Sequence, residues 1–298
     1  MIAQTLVAAL FLLSAGRVAA ASAAPLPSPD KSFVYKKIDG AELRLHAFFP
    51  SGWRAGDKRP AIVFFFGGGW VGGSPDQFYP HCRYLASRGM AAFAAEYRVR
   101  NRHGTSPRKA VMDAKSTVRW IRKRAADLGA DPNRLAAGGG SAGGHLAAAT
   151  AFVKKFNDPR DDLSTSCRPD ALVLFNPVID NGPEGYGYER VKAYWKDISP
   201  LHNIGENPPP TIFFLGTKDR LVPVAAAEKF KKLIEQRGGR CELRLYKDKT
   251  HGFFNLRRDR ACYRQTLLET DRFLASLGWL KGPPAIRLHA EPVPEEAP

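Results

Sequence analysis

Cysteine is scarce in this 298-residue chain: there are four, Cys82, Cys167, Cys241 and Cys262, and none lies in a C-x-x-C. That spacing argues against a cysteine-built metal centre. Acidic residues are also few, 29 Asp and Glu against 45 Lys and Arg, leaving a formal charge of +16. No concentrated basic tract and no nucleic-acid motif accompanies the excess. Nucleic acid is therefore not expected as a partner; a solvated basic surface is the first account of the charge, and an anionic polysaccharide partner the second. No repeat of fixed period occurs. After the first few dozen residues no apolar run approaches the roughly 20 residues of a membrane span. What the chain does have is 44% hydrophobic residues, enough for a sizeable core in one large α/β domain or two small ones.

Residues 1–23 read as a secretory signal, with an apolar stretch from Leu6 to Leu13 and small residues at Ala21-Ser22-Ala23. Met1-Ile-Ala-Gln-Thr lacks Lys and Arg, and Gly16-Arg17 keeps the apolar run too short for an anchor helix. Residues 24–32, with Pro25-Leu-Pro-Ser-Pro, form a linker; 33–281 the folded domain; 282–298 a Pro-rich, acidic tail. The expectation is an exported protein, periplasmic or secreted, with no membrane span once the signal is removed. Export makes the cysteines disulfide candidates with three possible connectivities. Cys82 with Cys262 is the preferred pair, because each falls early in a helix on one face of the sheet argued below; four reduced, buried thiols is the alternative.

The chain is arranged around Gly138-Gly139-Gly140-Ser141-Ala142-Gly143-Gly144-His145. Arg134-Leu-Ala-Ala leads in as a strand and His145-Leu-Ala-Ala-Ala-Thr-Ala leads out as a helix, so Ser141 sits at a strand-to-helix corner. The corner reads G-x-S-x-G, in which the serine takes a strained conformation and glycines two residues either side avoid a collision across the turn. The same stretch also matches G-x-G-x-x-G, with Asp158 at the distance of a ribose-binding carboxylate. Asp158 lies, however, in the polar run Asn157-Asp-Pro-Arg-Asp-Asp, which reads as a loop. The serine reading requires an oxyanion loop before Ser141, then an acid and a histidine after it.

Period-two alternation on both sides of Asp39-Gly40 predicts an antiparallel hairpin. Pro60-Ala-Ile-Val-Phe-Phe-Phe is a fully buried strand that runs into Gly67-Gly68-Gly69-Trp70. Backbone N–H groups can reach a carbonyl oxygen only where bulky Cβ atoms are absent. Gly68 and Gly69, with the N–H of Ala142, are the expected donors; no Gly-Lys-Ser/Thr follows to suggest a phosphate loop. Helices are predicted over 79–89, 107–128, 224–236 and 257–277, and strands over Met90–Tyr97, Ala171–Pro177, Thr211–Asp219 and Cys241–Tyr246. Strands alternating with helices imply α/β architecture, a mainly parallel sheet of about eight strands with helices on both faces. Residues 180–207 read as a small cap carrying Tyr186, Tyr188, Tyr194 and Trp195.

Past the carboxyl ends of strands stand Ser141, Asp219 and His251, in that order, where an open α/β sheet places its site. His251 is the base toward Ser141 and Asp219 its orienting acid. Asp180 and Asp248 are the rival acids; His202 is a rival base, and His145, on the helix after Ser141, is read as a core hydrogen-bonder. Trp70, Tyr186, Trp195 and Phe253 are the expected substrate-binding rings.

Phe66-Gly67-Gly68-Gly69-Trp70, Gly140-Ser141-Ala142-Gly143-Gly144, Gly216-Thr-Lys-Asp219 and His251-Gly252-Phe253 together resemble the α/β-hydrolase superfamily. More narrowly they resemble the hormone-sensitive-lipase-like and acetylxylan- or feruloyl-esterase-like carboxylesterases, over residues 33–281. The resemblance implies a serine carboxylesterase for short-chain acyl esters, needing no metal or cofactor, with a small ester or an acylated polysaccharide as substrate. A peptidase or amidase on the same fold, or a non-catalytic glycan-binding homologue, are the alternatives. The chain departs from the pattern at Phe66, where many such esterases carry histidine in an HGGG loop, and at Gly140, where relatives often carry Asp.

Overall fold

The first hairpin closes on Asp39 and Gly40, whose φ angles of 49° and 75° are those of a two-residue turn matched to strand twist. It joins β1 (Lys31–Ile38) to β2 (Ala41–Phe48). The computed structural model describes residues 25–286; the predicted signal and most of the tail lie outside them. Next come β3 (Arg59–Phe65), α1 (Tyr79–Ser87), β4 (Ala91–Ala95), α2 (Arg100–His103) and α3 (Pro107–Lys123). Then β5 (Ala130–Gly140) runs into α4 (Ala142–Phe152), and β6 (Ala171–Phe175) follows. The cap region holds α5 (Tyr188–Val191) and α6 (Trp195–Ile198); β7 (Thr211–Gly216), α7 (Val224–Gln236), β8 (Cys241–Tyr246) and α8 (Arg260–Ser276) complete the order.

The eight strands lie in the order β1-β2-β4-β3-β5-β6-β7-β8, antiparallel where β1 meets β2 and β2 meets β4, parallel from β4 to β8. Alternate residues feed two cores. Ala61, Val63 and Phe65 of β3 pack with α3, α4 and α7, whereas Ile62 and Phe64 pack with α1 and α8. Burial on both faces explains why the central strands are continuous apolar runs. Helix α4 is buried from Ala142 to Thr150, so it carries no polar face at all.

Three expectations are corrected. Helix α3 ends at Lys123, not Leu128, because the chain turns to reach Gly129, where φ is +60° and a Cβ would lie 2.5 Å from the carbonyl oxygen of Arg54. Helix α8 starts at Arg260, with Asp259 capping it by accepting the Cys262 N–H at 2.9 Å. All four cysteines are free thiols. Cys82 and Cys262 do lie in the same core but remain unpaired.

Asp158 has a structural role. It pairs with the half-buried Lys36 at 2.7 Å and with Arg160, while Lys36 also reaches Asp113 and Arg98 clamps Asp113 through two nitrogens. This network ties the hairpin to α3 and removes Asp158 from any ribose-binding role. Among the described residues no helix is long and apolar enough to cross a membrane.

Candidate active site

Ser141 has φ 55° and ψ −122°, a conformation that residues with a side chain rarely adopt. The surrounding glycines permit it. A Cβ on Gly139 would sit 2.5 Å from the Gly143 carbonyl, and one on Gly143 would sit 2.0 Å from the Phe65 oxygen. The Ser141 backbone is held by its N–H to Phe175 O at 3.0 Å and by the Val178 N–H to its own carbonyl at 3.1 Å.

His251 lies 2.9 Å through Nε2 from Ser141 Oγ and 2.8 Å through Nδ1 from Asp219 Oδ2. The Asp219 carboxylate is fully buried, and its other oxygen accepts the Leu221 and Val222 N–H groups at 2.8 and 3.0 Å. With Nδ1–H donated to Asp219, Nε2 carries the lone pair that faces the Ser141 hydroxyl. The sheet explains the convergence: Ser141 follows β5, Asp219 follows β7 and His251 follows β8, all at carboxyl ends.

The rivals go elsewhere. Asp180 accepts the Gly182 N–H and lies 3.8 Å from His202. Asp248 pairs with Lys218 on the surface. His202 shares a hydrogen bond with Ser199 at 2.9 Å. His145 is completely buried, contacts Ile198 O through Nε2 at 3.0 Å, and has its pKa pushed down to about 4 by that burial.

Gly68 and Gly69 border the same cavity as Ser141 and take left-handed conformations, φ +121° and +61°. A Cβ on Gly68 would meet Gly72 O at 2.3 Å, and one on Gly69 the Tyr186 hydroxyl at 2.8 Å. Ala142 supplies the first N–H of α4. Phe66, in place of histidine, is anchored differently: its ring stacks on Tyr97 at 4.1 Å, and the Tyr97 hydroxyl donates to its carbonyl at 2.8 Å. From the cap, Arg190 donates to Gly69 O at 2.8 Å.

Gly67 to Gly69, Ser141, Asn176 and His251 border a cavity of about 480 Å³ whose far wall is polar, with Ser74, Asp76, Gln77, Asn255 and Arg258. Tyr186 and Leu221 also line a mainly apolar chamber of about 270 Å³, walled by Val178, Ile179, Leu201, Val222 and Pro223 together with Asp180, Glu184 and Lys229. Of the four rings expected to bind substrate, only Tyr186 borders these cavities. Trp70 is 2% exposed and packs edge-on to His145 at 5.0 Å. Phe253 is equally buried, against Tyr246 at 4.8 Å, and its neighbour Phe254 lines the cavity instead. Trp195 packs edge-on to His202 at 5.0 Å within the cap. Gln77, Asn176 and Asn255 are site residues that sequence reasoning missed; no motif marks an isolated amide. Among the described residues no cluster of three or more His, Cys, Asp or Glu could hold a metal ion.

Comparison with known proteins agrees with this geometry. A BD-FAE sequence profile matches residues 49–183, and that of the prolyl oligopeptidase family matches 161–273. The chain belongs to the carboxylesterase family of the α/β-hydrolases. It is 45% identical to Thermogutta terrifontis esterase 2 in a structure phosphonylated by cyclosarin, with TM-score 0.82 over 87% of this chain and 97% of that one. A butyrate-bound structure of the same esterase gives 44% identity and TM-score 0.81 over 85% and 96%. Among curated proteins, esterase LipC of Mycobacterium tuberculosis is 30% identical over 60% of this chain and 50% of its own. The acetylxylan esterase of Xylanibacter ruminicola is 26% identical over 86% and 51%. The chain thus spans about half the length of these curated relatives.

Proposed function

We propose that the protein is a serine carboxylesterase that removes short acyl groups from a carbohydrate alcohol. The observation that carries the reading is the continuous Ser141–His251–Asp219 hydrogen-bond line beside two left-handed glycines. His251 Nε2 takes the hydroxyl proton as Ser141 Oγ bonds to the carbonyl carbon. The Gly68, Gly69 and Ala142 N–H groups hold the oxyanion of the tetrahedral intermediate. His251 then returns the proton to the departing alkoxide as its C–O bond breaks, leaving an acyl-enzyme. Water, deprotonated by the same nitrogen, releases the acid and regenerates Ser141.

The two cavities support the substrate class. The apolar chamber beyond Leu221 suits an acyl chain, whereas the wall of Ser74, Asp76 and Arg258 offers the donors and acceptors that a sugar requires. The names of the acetylxylan esterase relative and the butyrate-bound neighbour fit that division. The prolyl oligopeptidase match over 161–273 favours a second reading, cleavage of an amide by the same machinery. Export by the first 23 residues is a further part of the proposal, tested by the N-terminal sequence of the mature protein.

Hydrolysis of p-nitrophenyl acetate, butyrate and octanoate, acetylated xylan and an aminoacyl p-nitroanilide should be compared for wild type and Ser141→Ala. Activity on short esters and on xylan that falls 10⁴-fold or more in the variant is expected. Preferential anilide cleavage supports the amidase reading, and undiminished activity in the variant sinks both.

A further inference from the structure

The oxyanion loop and the histidine loop come from opposite ends of the chain, yet a line of side-chain amides joins them. The Gly67 N–H donates to Gln77 Oε1 at 2.7 Å, and Gln77 Nε2 donates to Asn255 Oδ1 at 2.8 Å. Asn255 Nδ2 donates to Gly252 O at 2.8 Å, next to His251. The Gly252 N–H in turn donates to Asn176 Oδ1 at 2.9 Å, and Asn176 Nδ2 lies 3.4 Å from His251 Nε2. Asn176 is the fixed end: it follows β6, is fully buried, and its N–H bonds to Phe214 O of β7 at 2.7 Å.

The polarity of the line is determined by its ends. A backbone N–H at Gly67 can only donate, so Gln77 must present its oxygen there and its NH₂ to Asn255. Asn255 then has only its NH₂ left for the Gly252 carbonyl. Each amide has one workable orientation, and each bond in the line needs the next. Gly67 lies against the nucleophile's turn, because a Cβ there would lie 3.2 Å from Gly140 O and 3.3 Å from Ser141 Cβ.

Resting on the esterase reading, we infer that Gln77 and Asn255 are positioning residues that couple the oxyanion loop to the His251 loop, so that donors and base keep one spacing about Ser141. Among the described residues their side-chain hydrogen bonds go to Gly67, to each other and to Gly252, and none goes to a triad side chain. Their effect belongs to the step in which charge develops on the carbonyl oxygen, where a misplacement of about 1 Å costs on the order of 10²-fold.

The test uses the full chain carrying Gln77→Met, Asn255→Leu or both, with p-nitrophenyl butyrate kinetics and amide hydrogen exchange at Gly67. Each single change should lower kcat by about 10- to 100-fold while KM stays within about threefold, and the double variant should fall no further than the weaker single. Gly67 exchange should accelerate at least about tenfold in Asn255→Leu, although Asn255 does not touch Gly67. If Asn255→Leu does not fold, Asn255→Asp keeps the shape and the acceptor for Gln77 while removing the donor to Gly252, and the same effects are expected. A kcat within twofold of wild type, multiplicative losses in the double variant, or unchanged Gly67 exchange overturns the inference. An inactive wild type would sink the esterase reading instead, and the exchange measurement would still decide this one.

Discussion

His81→Phe should make the protein resist acid. His81 is 1% exposed and, among the described residues, neither ring nitrogen has a hydrogen-bond partner. Its neighbours are rings: Phe78 at 5.0 Å, Phe175 at 5.3 Å and Tyr263 at 4.9 Å. Burial therefore pushes its pKa down to about 3, against about 6.5 in an unfolded chain. A folded-state pKa below the unfolded value means that the unfolded chain binds the extra proton. The stability held above about pH 6.5 is then lost progressively as pH falls toward 3. By pH 5 the loss from this one ring is about 2 kcal/mol. Phenylalanine fills the same slot between rings and cannot take a proton. Urea unfolding of wild type and variant at pH 8 and pH 5 measures the difference directly. The variant should gain about 2 kcal/mol relative to wild type between the two pH values. An identical stability difference at both pH values would refute this, because it would mean that His81 takes up a proton as readily in the folded protein as in the unfolded chain.

Other consequences are open to measurement. Gly68→Ala drives a Cβ to 2.3 Å from Gly72 O; kcat should fall by at least about 10²-fold, with far-ultraviolet circular dichroism reporting whether the fold is kept. Leu221→Trp, at the neck between the two cavities, should lower kcat/KM for the octanoyl ester relative to the acetyl ester by about tenfold, with both rates read from p-nitrophenol release. Asp259 caps α8 and bonds Lys249, and its pKa is lowered to about 2 by the Cys262 N–H and Lys249. Asp259→Ala should cost about 1 kcal/mol at pH 7. Because the folded pKa is depressed, that cost should fade as pH drops from about 4 to 2, as thermal unfolding against pH would show.

The site was legible in the sequence where chemistry forces a residue type into a fixed backbone setting. Ser141 needs glycines two residues away because Gly139 and Gly143 have no room for a Cβ. Asp219 follows the buried apolar strand β7 and His251 follows β8, an alternating edge strand, and both lie past carboxyl ends on one edge of the sheet. Gly68 was visible for the same steric reason, since a Cβ there would meet Gly72 O at 2.3 Å. The substrate rings were not, because an aromatic residue beside a glycine loop has the same sequence appearance whether it lines a cavity or fills a core. Trp70 and Phe253 went to the core, the outcome that apolar burial favours. The amide line of Gln77, Asn176 and Asn255 was invisible because its partners are as many as 178 residues apart. The preferred Cys82–Cys262 disulfide does not form, although both residues share a core: a common core does not place two thiols within bonding distance.

The most direct test of the central claim is active-site titration with diisopropyl fluorophosphate, followed by intact-mass and peptide analysis. One diisopropylphosphoryl adduct per chain is expected, on the peptide containing Ser141, with ester hydrolysis lost in proportion to labelling. Labelling should also be slower by about 10³-fold or more in His251→Ala, since the hydroxyl then has no base. Esterase activity that survives complete modification of Ser141, or labelling that proceeds unchanged without His251, would contradict that claim.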